Sequence, residues 1–204
     1  MFSSRLPVRT PTAPTVTAAI AVLAATLLLS GCAVPRQMGQ EGMGMDPGTS
    51  TSADSNRADM MFVQMMIPHH EQAIEMSDLL SGKSGISAGS MDLAQEITAA
   101  QTAEIAQMKT LLDDWGVNSM GDMGDMGMMS DDDMEALADA EGTDAERIFL
   151  TGMIDHHEGA IDMAEPEVAN GQSAETVALA TDIIRVQRIE IELMKDLLAA
   201  LPSE

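Results

Sequence analysis

The chain has 204 residues and carries 33 Asp and Glu against 10 Lys and Arg, a formal net charge of −23. So acidic a surface excludes nucleic acid and electrostatic attachment to anionic lipid as partners, and it favours cations and basic proteins. A single Cys rules out an internal disulfide and a multi-thiolate metal cluster, whereas 20 Met, three Phe, one Trp and no Tyr make thioether the abundant soft group.

Residues 1–31 read as a lipoprotein signal peptide. Arg5 and Arg9 give a basic start, and Ala18 to Leu29 is an apolar run too short to span a bilayer. The run ends in Leu29-Ser30-Gly31-Cys32, which resembles the bacterial lipobox, so Cys32 is the expected lipidation site. Removal of residues 1–31 leaves 173 residues with 8 basic and 33 acidic side chains, a net of −25. The expected location is the extracytoplasmic face of the cell envelope, held to the membrane by lipid. With the thiol lipidated, any metal site must use His, Met, carboxylate or amide groups.

Residues 32–54 are rich in Gly, Ser, Thr and Met without apolar periodicity, and read as a flexible tether. Residues 55–116 read as a first helical hairpin. Its first helix is expected from Asp54 or Ser55 to Leu80, with Asp59, Phe62, Met66, His69/His70, Ala73, Ser77 and Leu80 on one stripe. Pro68, inside that helix, is expected to kink or bulge it. After a turn, the second helix is expected from Ser90 to Trp115, stopped by Gly116. Residues 117–142 form a Met/Asp-rich linker, with a short helix expected from Asp131 to Ala140 after Ser130. Residues 143–204 repeat the hairpin: a helix from Asp144 to Glu165, a turn through Pro166 to Gly171, and a helix from Ser173 to Leu201.

All four histidines lie in the repeated phrase. Met66-Ile67-Pro68-His69-His70-Glu71-Gln72-Ala73-Ile74-Glu75-Met76 returns 87 residues later as Met153-Ile154-Asp155-His156-His157-Glu158-Gly159-Ala160-Ile161-Asp162-Met163. The second helices align at an offset of 86, so Gln101, Glu104 and Met108 return as Gln187, Glu190 and Met194. Two such hairpins predict an all-α four-helix bundle with a pseudo-twofold axis; the alternative pairs them between chains. At about 100° per residue, Met66 and His70 form an i, i+4 pair, and His69 flanks the same stripe. The candidate metal ligands are therefore Met66, His69, His70 and Met108, with Met153, His156, His157 and Met194. Asp59, Gln101, Glu104, Glu146, Gln187 and Glu190 are candidates to bind or orient those ligands. Imidazole with thioether suits copper in either oxidation state better than zinc. The competing reading makes the histidines core groups bonded to Glu104 and Glu190. Met120, Met123, Met126, Met128 and Met129, with Met38, Met43 and Met45 in the tether, form a separate candidate soft-metal cluster or a plain low-complexity segment.

The paired phrases, each followed by Gln-x-x-Glu-Ile-x-x-Met, resemble domain-of-unknown-function family 305. That resemblance covers residues 57–201 and implies a ferritin-like helical bundle that binds copper outside the cytoplasm. It implies no enzymatic activity. The expected function is copper sequestration or homeostasis, with monovalent or divalent copper bound and a copper-handling protein or a second copy as partner. Two alternatives remain open from the residues. One is a ferritin-like metal-dependent redox enzyme, weakened by the missing Glu-x-x-His spacing; the other is a non-metal envelope interaction module.

Overall fold

The computed structural model describes residues 54–118 and 127–202. The signal segment, Cys32, the tether and Met120, Met123 and Met126 lie outside these residues. Five helices and no strand occur among the described residues: α1 (Arg57–Ser81), α2 (Ala88–Trp115), α3 (Asp131–Asp139), α4 (Gly142–Asn170) and α5 (Ala174–Ala200). The fold is an all-α bundle of four long helices, with α3 as a short addition beside α1 and α4. None of the described helices is long and apolar enough to cross a membrane.

Helix starts follow the polar side chains that can satisfy free backbone N–H groups. Asn56, rather than Asp54 or Ser55, caps α1 and completes a capping box with Asp59. Ser87 caps α2, which therefore begins at Ala88 instead of Ser90. Ser130 and Ser173 cap α3 and α5. The helix α1 runs through Pro68, as expected. One expectation about proline is corrected: α4 continues through Pro166 to Asn170 instead of ending at Glu165. Tertiary bonds hold that last turn: Asn56 Nδ2 donates to Asn170 O at 2.8 Å, and Asn170 Nδ2 donates to Pro166 O at 2.9 Å.

The core falls into two halves that exchange under the repeat offset. One half contains Phe62, Val63, Met66, Met108, Met163 and Ile183. The other contains their counterparts Phe149, Leu150, Met153, Met194, Met76 and Ile97. Each half thus combines the early part of one repeat's first helix with the late part of the other's, so α1 and α4 run antiparallel about a pseudo-twofold axis. The histidine phrases lie between the halves, on that axis.

Carboxylates at the two ends join the repeats. Asp59 of α1 accepts backbone N–H bonds from Gln172 at 3.1 Å and Ser173 at 2.9 Å, at the start of α5. Glu146 of α4 accepts from Ser87 N at 3.1 Å and from the hydroxyls of Ser87 and Ser90, at the start of α2. The ends differ most in one pair of counterparts. Glu167, the counterpart of Leu80, is 1% exposed and faces Asp59. Two carboxyl groups can share a hydrogen bond only if one keeps its proton. Burial, the bond to Asp59 and the Asp59 charge push Glu167 from 4.5 up to about 8. Burial would also raise Asp59, but backbone N–H bonds from Asn56, Ser173 and Gln172, with the Glu167 side chain, hold it below its ordinary value.

Folded Glu167 therefore holds a proton that the unfolded chain releases near 4.5. The stability it contributes is complete below about 4.5 and is lost as pH rises through about 8. Glu167→Gln should raise stability at pH 8 by at least about 1 kcal/mol, or about 2–4 °C in Tm, and leave it nearly unchanged at about pH 4. Thermal unfolding at both pH values checks this; equal gains at both would show that Glu167 holds no proton in the fold.

Candidate metal centre

Four buried imidazoles form a row across the bundle. His69 and His156 meet at the axis, with ring centroids 3.7 Å apart and planes inclined by 37°. His70 lies 6.5 Å from His69, and His157 lies 6.4 Å from His156. At the outer positions His70 Nε2 lies 2.8 Å from Glu104 Oε2, and His157 Nε2 lies 2.8 Å from Glu190 Oε2. An ionised carboxylate only accepts, so a neutral outer ring carries its hydrogen on Nε2 and its lone pair on Nδ1. Nδ1 of both His70 and His157 is buried without a hydrogen-bond partner. A buried lone pair of this kind is costly in a purely structural core, and it suits a metal ion. Burial, followed by the repulsion of His69, His157 and His70, holds His156 well below its ordinary 6.5, so it is neutral at pH 7.

Thioethers stand on both sides of the row. Met66, Met108, Met153 and Met194 are all 0% exposed and divide between the two core halves. Gln101 and Gln187, each 3% exposed, have an Oε1 without a hydrogen-bond partner. No cluster of three or more His, Cys, Asp or Glu side chains placed to hold a metal occurs among the described residues. What the centre offers is imidazole and thioether, neutral donors that favour soft and borderline cations.

The other candidate residues separate. Glu104 and Glu190 orient the outer histidines. Asp59 and Glu146 bond helix starts at the ends of the bundle, and Asp59 lies ten residues, about 15 Å along α1, from His69. Met128 and Met129 do not hang free as linker residues: Met129 packs against the second core half.

Sequence reasoning missed the groups that hold the linker, although the signal was available where the two copies disagree. Over residues 64–76 and 151–163 the copies differ at five positions: Gln64/Thr151, Met65/Gly152, Pro68/Asp155, Gln72/Gly159 and Glu75/Asp162. On α4 these five fall within about 100° of one face. That face lines two grooves against Gly127 and the residues after it. On α1, Gln64 Nε2 donates to Asn118 O at 3.0 Å, where the linker begins. Gln72 clamps its far end, donating to Met129 O at 2.9 Å and accepting from Met129 N at 2.8 Å. Opposite, a Cβ on Gly127 would lie 2.6 Å from Gly159 Cα, so two glycines permit the close approach. Asn118 and residues 127–129 are held at positions where the two copies diverge.

The model of the domain of unknown function DUF305 matches residues 59–198. The structure is similar to a putative secreted DUF305 protein from Streptomyces coelicolor, with 34% identity and a TM-score of 0.66 over 72% of this chain and 93% of that one. It is also similar to a DUF305 fragment from Deinococcus radiodurans, with 31% identity and a TM-score of 0.68 over 72% of this chain and 99% of that one. A third neighbour is CopM in its Cu(I)-bound form, with 34% identity and a TM-score of 0.58 over 68% of this chain and 94% of that one. CopM is also known in Ag-bound, Cu(II)-bound and apo forms. No curated protein matches the chain. The family match spans most of the chain and includes both histidine phrases, so the chain belongs to the DUF305 family.

Proposed function

We propose that this protein binds copper on the extracytoplasmic side of the membrane, anchored through a lipid on Cys32, and sequesters copper or hands it on. The observation that carries the reading is the row of four buried imidazoles, whose outer Nδ1 atoms lack partners and whose flanks are thioether. Met66, His69, His70 and Met108, with Met153, His156, His157 and Met194, are the proposed ligand set. Imidazole holds copper in both oxidation states, and thioether adds preference for the monovalent ion. Similarity to CopM, which binds Cu(I), Cu(II) and Ag, supports the same chemistry here. Similarity to a putative secreted protein supports the extracytoplasmic setting. A copper-handling protein or a second copy of the chain is the proposed partner. Of the four carboxylates that motivate the redox-enzyme alternative, Asp59 and Glu146 serve helix starts and Glu104 and Glu190 stand at the outer histidines.

Cells given labelled fatty acid and copper test both parts of the proposal. The parent chain should carry label and copper; Cys32→Ala should lose the label and keep the same copper per chain, since the anchor lies outside the bundle. Label on the variant would refute the anchor. Absence of copper from both chains would refute the copper reading.

A further inference from the structure

The linker end brings a thioether to a place where another already waits. A Cβ on Gly152 would lie 1.9 Å from Met129 Cε and 3.6 Å from both Met129 Sδ and Met76 Cε. Both methionine ends therefore converge on the space that Gly152 leaves open. A glycine inside a helix costs roughly 1 kcal/mol relative to alanine. The counterpart in the first copy is Met65, so the open space belongs to the linker side of the bundle alone.

The position relative to the histidines follows from helix geometry. Met76 lies seven residues after His69, within about 20° of it on α1. Gly152 lies four residues before His156, about 40° from it on α4. Along the helices Met76 lies about 10 Å from His69 and Gly152 about 6 Å from His156, toward the same end because α1 and α4 run antiparallel, so the Met76–Met129 pair stands one to two turns from the His69–His156 pair. His70 and His157 point the other way, to Glu104 and Glu190. The groove between the linker end and α4 has a volume of about 600 Å³ and carries two carboxylates, Asp133 and Asp155, against one cation, Arg147. Carboxylates in a groove mouth raise the local concentration of cations.

We infer that Met76 and Met129 form an entry site for a soft monovalent cation, held together by the Gln72 clamp and passing the ion to the His69–His156 pair. The inference rests on the reading that the histidines bind copper, and it adds Met76, Gln72 and Gly152 to the working parts. Neutral thioethers bind a soft ion without releasing a proton, and their weak hold lets it move on to imidazole. Gln72 acts as a positioning residue: its two bonds fix the Met129 backbone, and with it the Sδ.

Silver titration of the full chain with ¹³C-labelled methionine methyl groups tests this. Met76→Leu and Met129→Leu, which conserve volume, assign the two signals. Both signals should shift together in the first stage of the titration. In Gln72→Gly, which installs the second copy's own residue, the silver concentration at half-shift should rise about 10-fold or more. The inference is overturned if either signal stays still, or if Gln72→Gly leaves the half-shift where it was. Failure of the underlying reading looks different: cupric ion would still bind after the histidines are replaced, whatever the methionine signals do.

Discussion

Glu146→Ala should destabilise the fold by about 1–3 kcal/mol, lowering Tm by about 2–12 °C. Glu146 is 2% exposed and gathers one backbone N–H and two hydroxyls at the start of α2. Its removal leaves the buried Ser90 hydroxyl without this acceptor, at about 1–3 kcal/mol, while the N–H and hydroxyl of the exposed Ser87 can turn to water. The α1–α2 turn would then lose its main bond to the second repeat. Glu146→Gln, which retains an oxygen but donates where two hydroxyls already donate, should cost about half as much. Urea unfolding of both variants followed by circular dichroism checks the order. A loss below about 1 kcal/mol for Glu146→Ala would mean that water replaces the carboxylate easily.

The same residue shows how far the sequence could be read. The stripe from Asp59 to Leu80 was legible as one buried face, and every member is buried. Periodicity alone placed Glu146 and Asp59 near the histidine layer, because both fall on the inward side of a helical wheel. Periodicity carries no information about depth along the bundle, and the antiparallel pairing sends both carboxylates to its ends. Pro166 misled in another way. Proline removes one donor and is a sound stop signal for an isolated helix, yet bonds from Asn56 and Asn170 carry α4 a further turn. That extension delivers Glu167 to Asp59, a pairing that neither repeat announces.

The duplicated histidines were legible because they recur, and the Glu104 and Glu190 partners because they recur at the matching offset. The linker contacts were legible only through mismatch. Gln72 and Gly159 look like neutral drift between copies until Met129 and Gly127 are seen against them. Along one face of α4, the differences between the two copies mark where residues 127–129 lie.

The central claim is that the imidazole row binds copper, and replacement of the histidines tests it most directly. His69, His70, His156 and His157 are each no more than 1% exposed, so alanine at all four would open a cavity in the core. Leucine fills that space and removes every ring nitrogen, including the two Nδ1 atoms that lack partners. The fourfold His→Leu variant should remain helical and unfold at or above the parent's Tm, because buried polar atoms give way to apolar ones. Cupric ion titrated into parent and variant at about pH 7 is the decisive measurement. The account predicts that the variant binds cupric ion at least about 100-fold more weakly than the parent. A folded variant that binds cupric ion as tightly as the parent would contradict it.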